Sequence, residues 1–268
     1  MVLRGTALIG AEFEPPGTED FLFRCWGSPI SIFGASVCIN FITFLVLMTT
    51  LIVVVLFFLA FRRPQAVPGK FQALMELGIQ FVREQIAIPM LGPTAARYLP
   101  LLTSFFFFIL IANFFEVLPG FSLAPTSRIA IPLVLAVISW VTYNGAGIAK
   151  HGFLGYLRHT CIIEEAPGVL RYTLLPLIEF ISNIVVRPIT LTVRLWANFL
   201  AGHFLLAIFF LGTIFFLVNG PKTWILVPFS FPLAVILVGF EIFVAVLQAF
   251  IFAILTASYI GQAVAEEH

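Results

Sequence analysis

Residues 173–218 read TLLPLIEFISNIVVRPITLTVRLWANFLAGHFLLAIFFLGTIFFLV, 46 positions with no polar turn among them. As one helix the run is about 69 Å long. An upright span fills about 30 Å of hydrocarbon with roughly 20 residues. The stretch is therefore two short spans or one long, strongly tilted helix, and the missing solvated turn favours the single helix. After Asn219-Gly220-Pro221-Lys222 a second run, Thr223 to Ile260, has the same character. Pro188 and Gly202 bend the first run, and Pro228 and Pro232 the second near its start, without opening a loop. Together they are read as a hairpin of two long tilted helices.

The rest of the chain is equally apolar. Hydrophobic residues make up 61% and charged residues 10%, with a mean hydropathy of +1.10. A soluble domain of this length carries about a quarter charged residues, so most of this chain is not solvated by water. Ser31–Phe61 is a nearly unbroken apolar run stopped by Arg62-Arg63-Pro64, and further runs cover Pro100–Leu118 and Ile129–Ala149. Lys70–Met90 mixes Glu76, Arg83 and Glu84 with apolar residues at helical spacing, the pattern of an interfacial amphipathic helix. The expected fold is an all-α polytopic membrane protein. It has about five transmembrane helices (31–61, 100–118, 129–149, 173–218 and 223–260) in one membrane domain, plus the interfacial helix over 70–90.

Residues 1–30 carry Glu12, Glu14, Glu19 and Asp20 against Arg4 and Arg24, without the basic start and early apolar stretch of a secretory signal. They are read as an external extension. Orientation follows from loop cations. With the side after Phe61 taken as cytoplasmic, Arg62, Arg63, Lys70, Arg83, Arg97, Lys150, Arg158 and Arg171 fall inside. Arg4, Arg24, Arg128 and Lys222 fall outside. The N-terminus is then outside and Glu266-Glu267-His268 inside. A net charge of +1 with no basic stripe speaks against a nucleic-acid partner. Cys25, Cys38 and Cys161 lack metal-ligand spacing and read as incidental thiols, so no metal or cofactor is expected.

Ionisable groups inside hydrocarbon mark function by default. The long pair carries Glu179, Arg187, Arg194 and His203 on the first helix and Glu241 on the second. An arginine at a span centre costs about 2.5–3.5 kcal/mol on insertion scales, and two on one helix need a reason. At about 100° per residue, with Arg194 at zero, Asn183 lies near about −20° and Arg187 about +20°. Thr190 lies at about −40°, Asn198 about +40° and Glu179 about −60°, so all share one face. On the second helix Glu241, Gln248 and Tyr259 align within about 20°. Asn183, Thr190 and Tyr259 are cheap to bury in pairs and can serve merely as glue between helices. Arg194 resists that reading, because Glu241 is the one carboxylate on the partner helix. His203 falls opposite Arg194 and reads either as an interior histidine or as part of a path. Glu116, just before Leu118-Pro119, is interfacial or channel-lining.

The run Arg187-Pro188-Ile189-Thr190-Leu191-Thr192-Val193-Arg194-Leu195-Trp196-Ala197-Asn198-Phe199-Leu200-Ala201-Gly202-His203 resembles the signature of subunit a of F-type ATP synthases. So do Leu247-Gln248-Ala249-Phe250 and Asn113-Phe114-Phe115-Glu116-Val117-Leu118-Pro119. The resemblance covers about residues 30–268. It implies a proton-translocating stator subunit, of bacterial plasma-membrane type, that catalyses no covalent chemistry itself. Its implied partners are a c-subunit ring, a b-subunit peripheral stalk, the rest of the F1Fo complex and lipid. Arg194 matches the family's essential arginine, Asn198 its neighbour and Gln248 the glutamine facing it, while His203 and Glu241 take positions held by a His and a Glu in either arrangement. These, with Glu179, are the proton-translocation residues the resemblance implies. Asn183, Arg187, Thr190, Glu116 and Tyr259 are further candidates for channel lining. Glu179 lies nine residues before Pro188 where many members have a carboxylate eight before, and Arg187 is placed to snorkel toward headgroups.

Two other classes fit the sequence less well. A proton-coupled secondary transporter shows internal repeats with broken helices in both halves, and here the polar groups are concentrated in the last third. An intramembrane hydrolase needs a nucleophile and an oriented base, and no Ser/His pairing stands out.

Overall fold

The structure is a computed structural model that describes residues 30–32, 35–37, 40–63, 67–118, 124–161 and 174–265. The expected extension over 1–30, apart from Ile30, lies outside the described residues, as do Cys25, Cys38, Pro64, Pro119-Gly120, Arg171 and Glu266-Glu267-His268.

Two three-residue strands come first, β1 (Ile30–Ile32) and β2 (Ala35–Val37). They pair antiparallel with Ser31 opposite Ser36. All other regular structure among the described residues is helical. Helix α1 (Phe41–Phe61) starts ten residues later than the apolar run. The reason is Asn40, whose Oδ1 accepts hydrogen bonds from the Thr43 backbone N–H and from Thr43 Oγ1, each 3.1 Å. A capping asparagine of this kind sets a helix start that hydropathy cannot see.

The amphipathic segment and the next span run almost without interruption. Helix α2 (Lys70–Val82) passes through a π-turn, Arg83–Ala87, into α3 (Ile88–Leu91) and, after Gly92–Thr94, into α4 (Ala95–Val117). Gln72, Met75, Val82 and Ile86 are buried at helical spacing. Helix α5 (Ala130–Cys161) breaks at Gly152, whose φ of 71° only glycine adopts easily. That break brings the Tyr156 ring back against Gly147. The last third consists of α6 (Leu174–Ile181), a π-turn over Ser182–Val186, α7 (Arg187–Val218) and α8 (Val227–Val264). Among the described residues five helical stretches are long and apolar enough to cross a membrane: Phe41–Phe61, Lys70–Val117, Ala130–Leu157, Pro176–Val218 and Trp224–Val264.

Two compact units divide the chain, and the long helices contribute to each. The first comprises residues 1–51, 110–128 and 196–247. In it, Thr213 and Ser230 share a 2.8 Å hydrogen bond between α7 and α8, and Leu45, Ala112 and Phe199 are buried. The second comprises residues 52–109, 129–195 and 248–268. In it, Ala249, Ala253 and Ala257 form a fully buried small-residue stripe on α8 that allows close helix approach. Phe105 meets Phe252 edge-on at 5.3 Å, and Ser139 donates to Thr256 at 3.0 Å.

Candidate functional site

The polar intramembrane residues fall into two groups, one in each unit. In the first unit Glu241 is buried, and its carboxylate lies on α7 at Gly202, the residue immediately before His203. A Cβ at residue 202 would stand 2.6 Å from both carboxylate oxygens, so this approach needs glycine. Half-buried His203 stacks on the Phe199 ring, with centroids 5.5 Å apart. Asn198 is half-buried on the same helix. Glu116 is buried within electrostatic reach of Glu241, and its Oε1 has no hydrogen-bond partner among the described residues. One turn earlier Asn113 accepts from Thr126 Oγ1 at 3.3 Å while its Nδ2 is left unsatisfied. Two buried carboxylates and an under-satisfied amide in one apolar unit are the signature of a site built for something other than packing.

The second unit holds a denser network. Asn183, in the π-turn, is buried; its Nδ2 donates to Asn144 Oδ1 (3.2 Å) and to the Tyr156 hydroxyl (3.0 Å). Tyr156 in turn donates to Asn144 Oδ1 at 3.0 Å, which the Gly152 break makes possible. Tyr143, fully buried, donates its hydroxyl proton to the Asn183 carbonyl at 2.6 Å. Arg187 spreads its fork between Asn183 Oδ1 (3.2 Å) and Gln262 Oε1 (2.9 Å), and its guanidinium sits 4.8 Å from the Tyr259 ring centroid. It is held by α8 rather than directed only toward headgroups.

Arg194 contrasts with Arg187. It is half-buried in the middle of an apolar helix and makes no hydrogen bond or ion pair among the described residues. Gln248 is buried with its Oε1 unsatisfied, and Glu179 is half-buried. Thr190 is exposed and spends its hydroxyl on the Arg187 carbonyl, 2.9 Å away. No group of three or more metal-ligating side chains occurs among the described residues. Tyr143, Asn144, Tyr156 and Gln262 are not among the site members expected from the sequence. A pairing signal was available only for Asn144, a full amide in a transmembrane run, since the other three need the fold to meet Asn183 and Arg187.

Comparison with known proteins bears on the family of the whole chain. Residues 42–261 match the family described as ATP synthase A chain. ATP synthase subunit a of Rhodococcus erythropolis is 37% identical over 266 residues, covering 98% of this chain and 95% of the relative. The subunit a of Frankia alni is 40% identical over 260 residues (96% and 88% covered), and that of a Nocardioides species 39% over 269 (97% and 96%). Among the described residues an apolar body has five spanning-length helices and an arginine with no hydrogen-bond or ion-pair partner, and with likeness along nearly the full length these lead to one conclusion: this chain belongs to the ATP synthase subunit a family and is a multi-pass membrane component of the Fo proton channel.

Proposed function

We propose that this chain is the stator of the proton path, with two offset half-channels separated by Arg194. The observation that carries the reading is Arg194 itself, a cation in an apolar helix with no partner among the described residues. A charge in hydrocarbon is costly to leave unpaired, which supports a partner supplied by another subunit. A ring of c subunits, each with one lipid-embedded carboxylate, supplies it.

A fixed cation favours the charged form of a carboxylate beside it. A protonated ring carboxyl that reaches Arg194 therefore releases its proton into a water-accessible path. Once ionised, it passes the arginine but cannot re-enter hydrocarbon until the other path reprotonates it. The same charge repels hydronium and blocks a direct leak. Along the chain, Asn198 and His203 follow Arg194 and, with Glu241 and Gln248, make the outer half-channel; Glu179 precedes it and serves the inner one. Glu116 lies with Glu241 in the outer path, and Asn183, Arg187, Thr190 and Tyr259 line the inner region. The loop cations orient the N-terminus outside and the C-terminus in the cytoplasm. The ion is H⁺, and the b-subunit stalk holds the chain against rotation.

Inside-out vesicles carrying Arg194→Ala in an otherwise assembled complex test this reading. ATP-driven acidification is expected to vanish. Acidification at the wild-type rate would overturn the assignment of Arg194 as the barrier.

A further inference from the structure

Between Glu179 and Arg194 the helix is not a uniform α-helix. Over Ser182–Val186 it is a π-turn, closed by the Arg187 N–H bonding to the Ser182 carbonyl five residues back. Pro188 explains its location. A proline inside a helix has no N–H to donate, and its ring collides with the carbonyl four residues earlier, here Ile184. Widening the turn relieves the collision but leaves the Asn183 carbonyl, five residues before Pro188, without its helical donor. Tyr143 supplies one: its hydroxyl donates to the Asn183 carbonyl at 2.6 Å in a fully buried setting. The Asn183 side chain is fixed as well, by Asn144, Tyr156 and Arg187.

The turn changes where Glu179 faces. Fifteen residues of unbroken α-helix would put it about −60° from Arg194, next to Thr190. Thr190 is exposed. A π-turn holds one residue more than an α-turn, so Glu179 instead stands at about +40°, on the edge where Arg187 lies. Arg187 is the residue that meets Gln262 and Tyr259 of α8. The half-burial of Glu179, between exposed Ile178 and Phe180, agrees with this edge.

We infer that Tyr143 is a positioning residue for proton exit: it holds the Ser182–Val186 π-turn and thereby aims Glu179 to the α8-facing edge of the polar stripe. The inference rests on the reading of Glu179 as part of the inner path. Removing one residue from the turn, with Pro188→Ala to lift the ring collision, converts it to an α-turn and leaves Glu179 at the same angle. Removing one residue from the regular helix nearby rotates Glu179 by about 100°.

The test measures passive proton flux through Fo in vesicles, normalised to assembled complex. Glu179→Gln checks the underlying reading on its own; wild-type flux in that variant would sink the role of Glu179 and with it the inference. Given a loss there, Tyr143→Phe is expected to cut flux by about three- to tenfold, the effect of one buried carbonyl left unpaired. Deletion of Val185, an exposed residue of the turn, combined with Pro188→Ala, which removes the ring collision and gives the Asn183 carbonyl a main-chain donor, keeps flux within about twofold of wild type, and in that background Tyr143→Phe costs nothing further. Deletion of exposed Val193, in the regular helix, abolishes it. An assembled Val185 deletion with Pro188→Ala as inactive as the Val193 deletion would overturn the inference, and so would a Tyr143→Phe loss that is the same in wild type and in that background. Should the deletions fail to assemble, cysteines at 179 and 190 give a second measurement. Tyr143→Phe must raise thiol labelling at 179 toward that at 190, and unchanged labelling refutes the positioning role.

Discussion

The carboxylate of Glu241 on α8 sits directly on Gly202 of α7, and a Cβ at residue 202 would lie 2.6 Å from both its oxygens. Gly202→Ala must therefore displace a buried carboxylate rather than a yielding apolar side chain. The expected cost is about 1–3 kcal/mol of overpacking, concentrated at the residue proposed to pass protons. Proton flux per assembled complex should fall at least severalfold while the amount of complex falls less. A variant that pumps normally would mean that Glu241 has room to move and that its contact with Gly202 has no functional weight.

Glu116 and Glu241 come from separate helices of the same unit and lie within electrostatic reach. Groups that act in one path lose their effect together, whereas independent groups add. Glu116→Gln and Glu241→Gln are each expected to slow proton flux, and the double change to be little worse than the more damaging single one. Multiplicative losses in vesicle acidification would place Glu116 outside the path. The same logic applies to His203. Exchanging it with Glu241, as His203→Glu with Glu241→His, should restore more flux than either single change.

Arg187 offers a prediction about stability. Its two-pronged contact with Asn183 and Gln262, together with the Tyr259 ring, uses the planar fork of a guanidinium. Lysine is a point charge and cannot make both bonds in that geometry. Arg187→Lys should lose most of what Arg187→Ala loses, about 1–3 kcal/mol, seen as earlier heat release of the chain from the detergent-solubilised complex. Wild-type heat resistance in the lysine variant would show that charge alone matters at this position.

The hairpin and the stripe were legible because they follow from length, hydropathy and helical angle. A 46-residue apolar run with Arg187, Asn183 and Arg194 on one face needs no tertiary knowledge. The π-turn was not legible, and a uniform angle count takes no account of the extra residue it holds between Glu179 and Arg194. The start of α1 was missed for a similar reason. Asn40 caps the helix through two 3.1 Å bonds, whereas hydropathy alone carries the run back to Ser31. Tyr143, Tyr156 and Gln262 were invisible as site members because their partners are 40, 27 and 75 residues away in sequence.

The two long helices are continuous where upright spans would have to turn. Four upright spans would require water-exposed turns near residues 197–200 and 241–244, where each run would reverse. The structure instead carries α7 unbroken from Arg187 to Val218 and α8 from Val227 to Val264, with Pro232 accommodated inside α8. An unbroken helix of 38 residues is about 57 Å long. That exceeds the roughly 30 Å of hydrocarbon, so such a helix lies well away from the membrane normal, beyond the average tilt of about 20°. A strongly tilted helix spreads its polar stripe sideways, which suits a surface past which a ring slides. Single cysteines placed at 197–200 and 241–244 should therefore react slowly with a bulky, impermeant maleimide from either side. A small thiol reagent entering by narrow aqueous paths should reach only the positions near Asn198 and Glu241. Fast labelling of all eight positions by the bulky reagent from one bulk side would disprove the continuous helices.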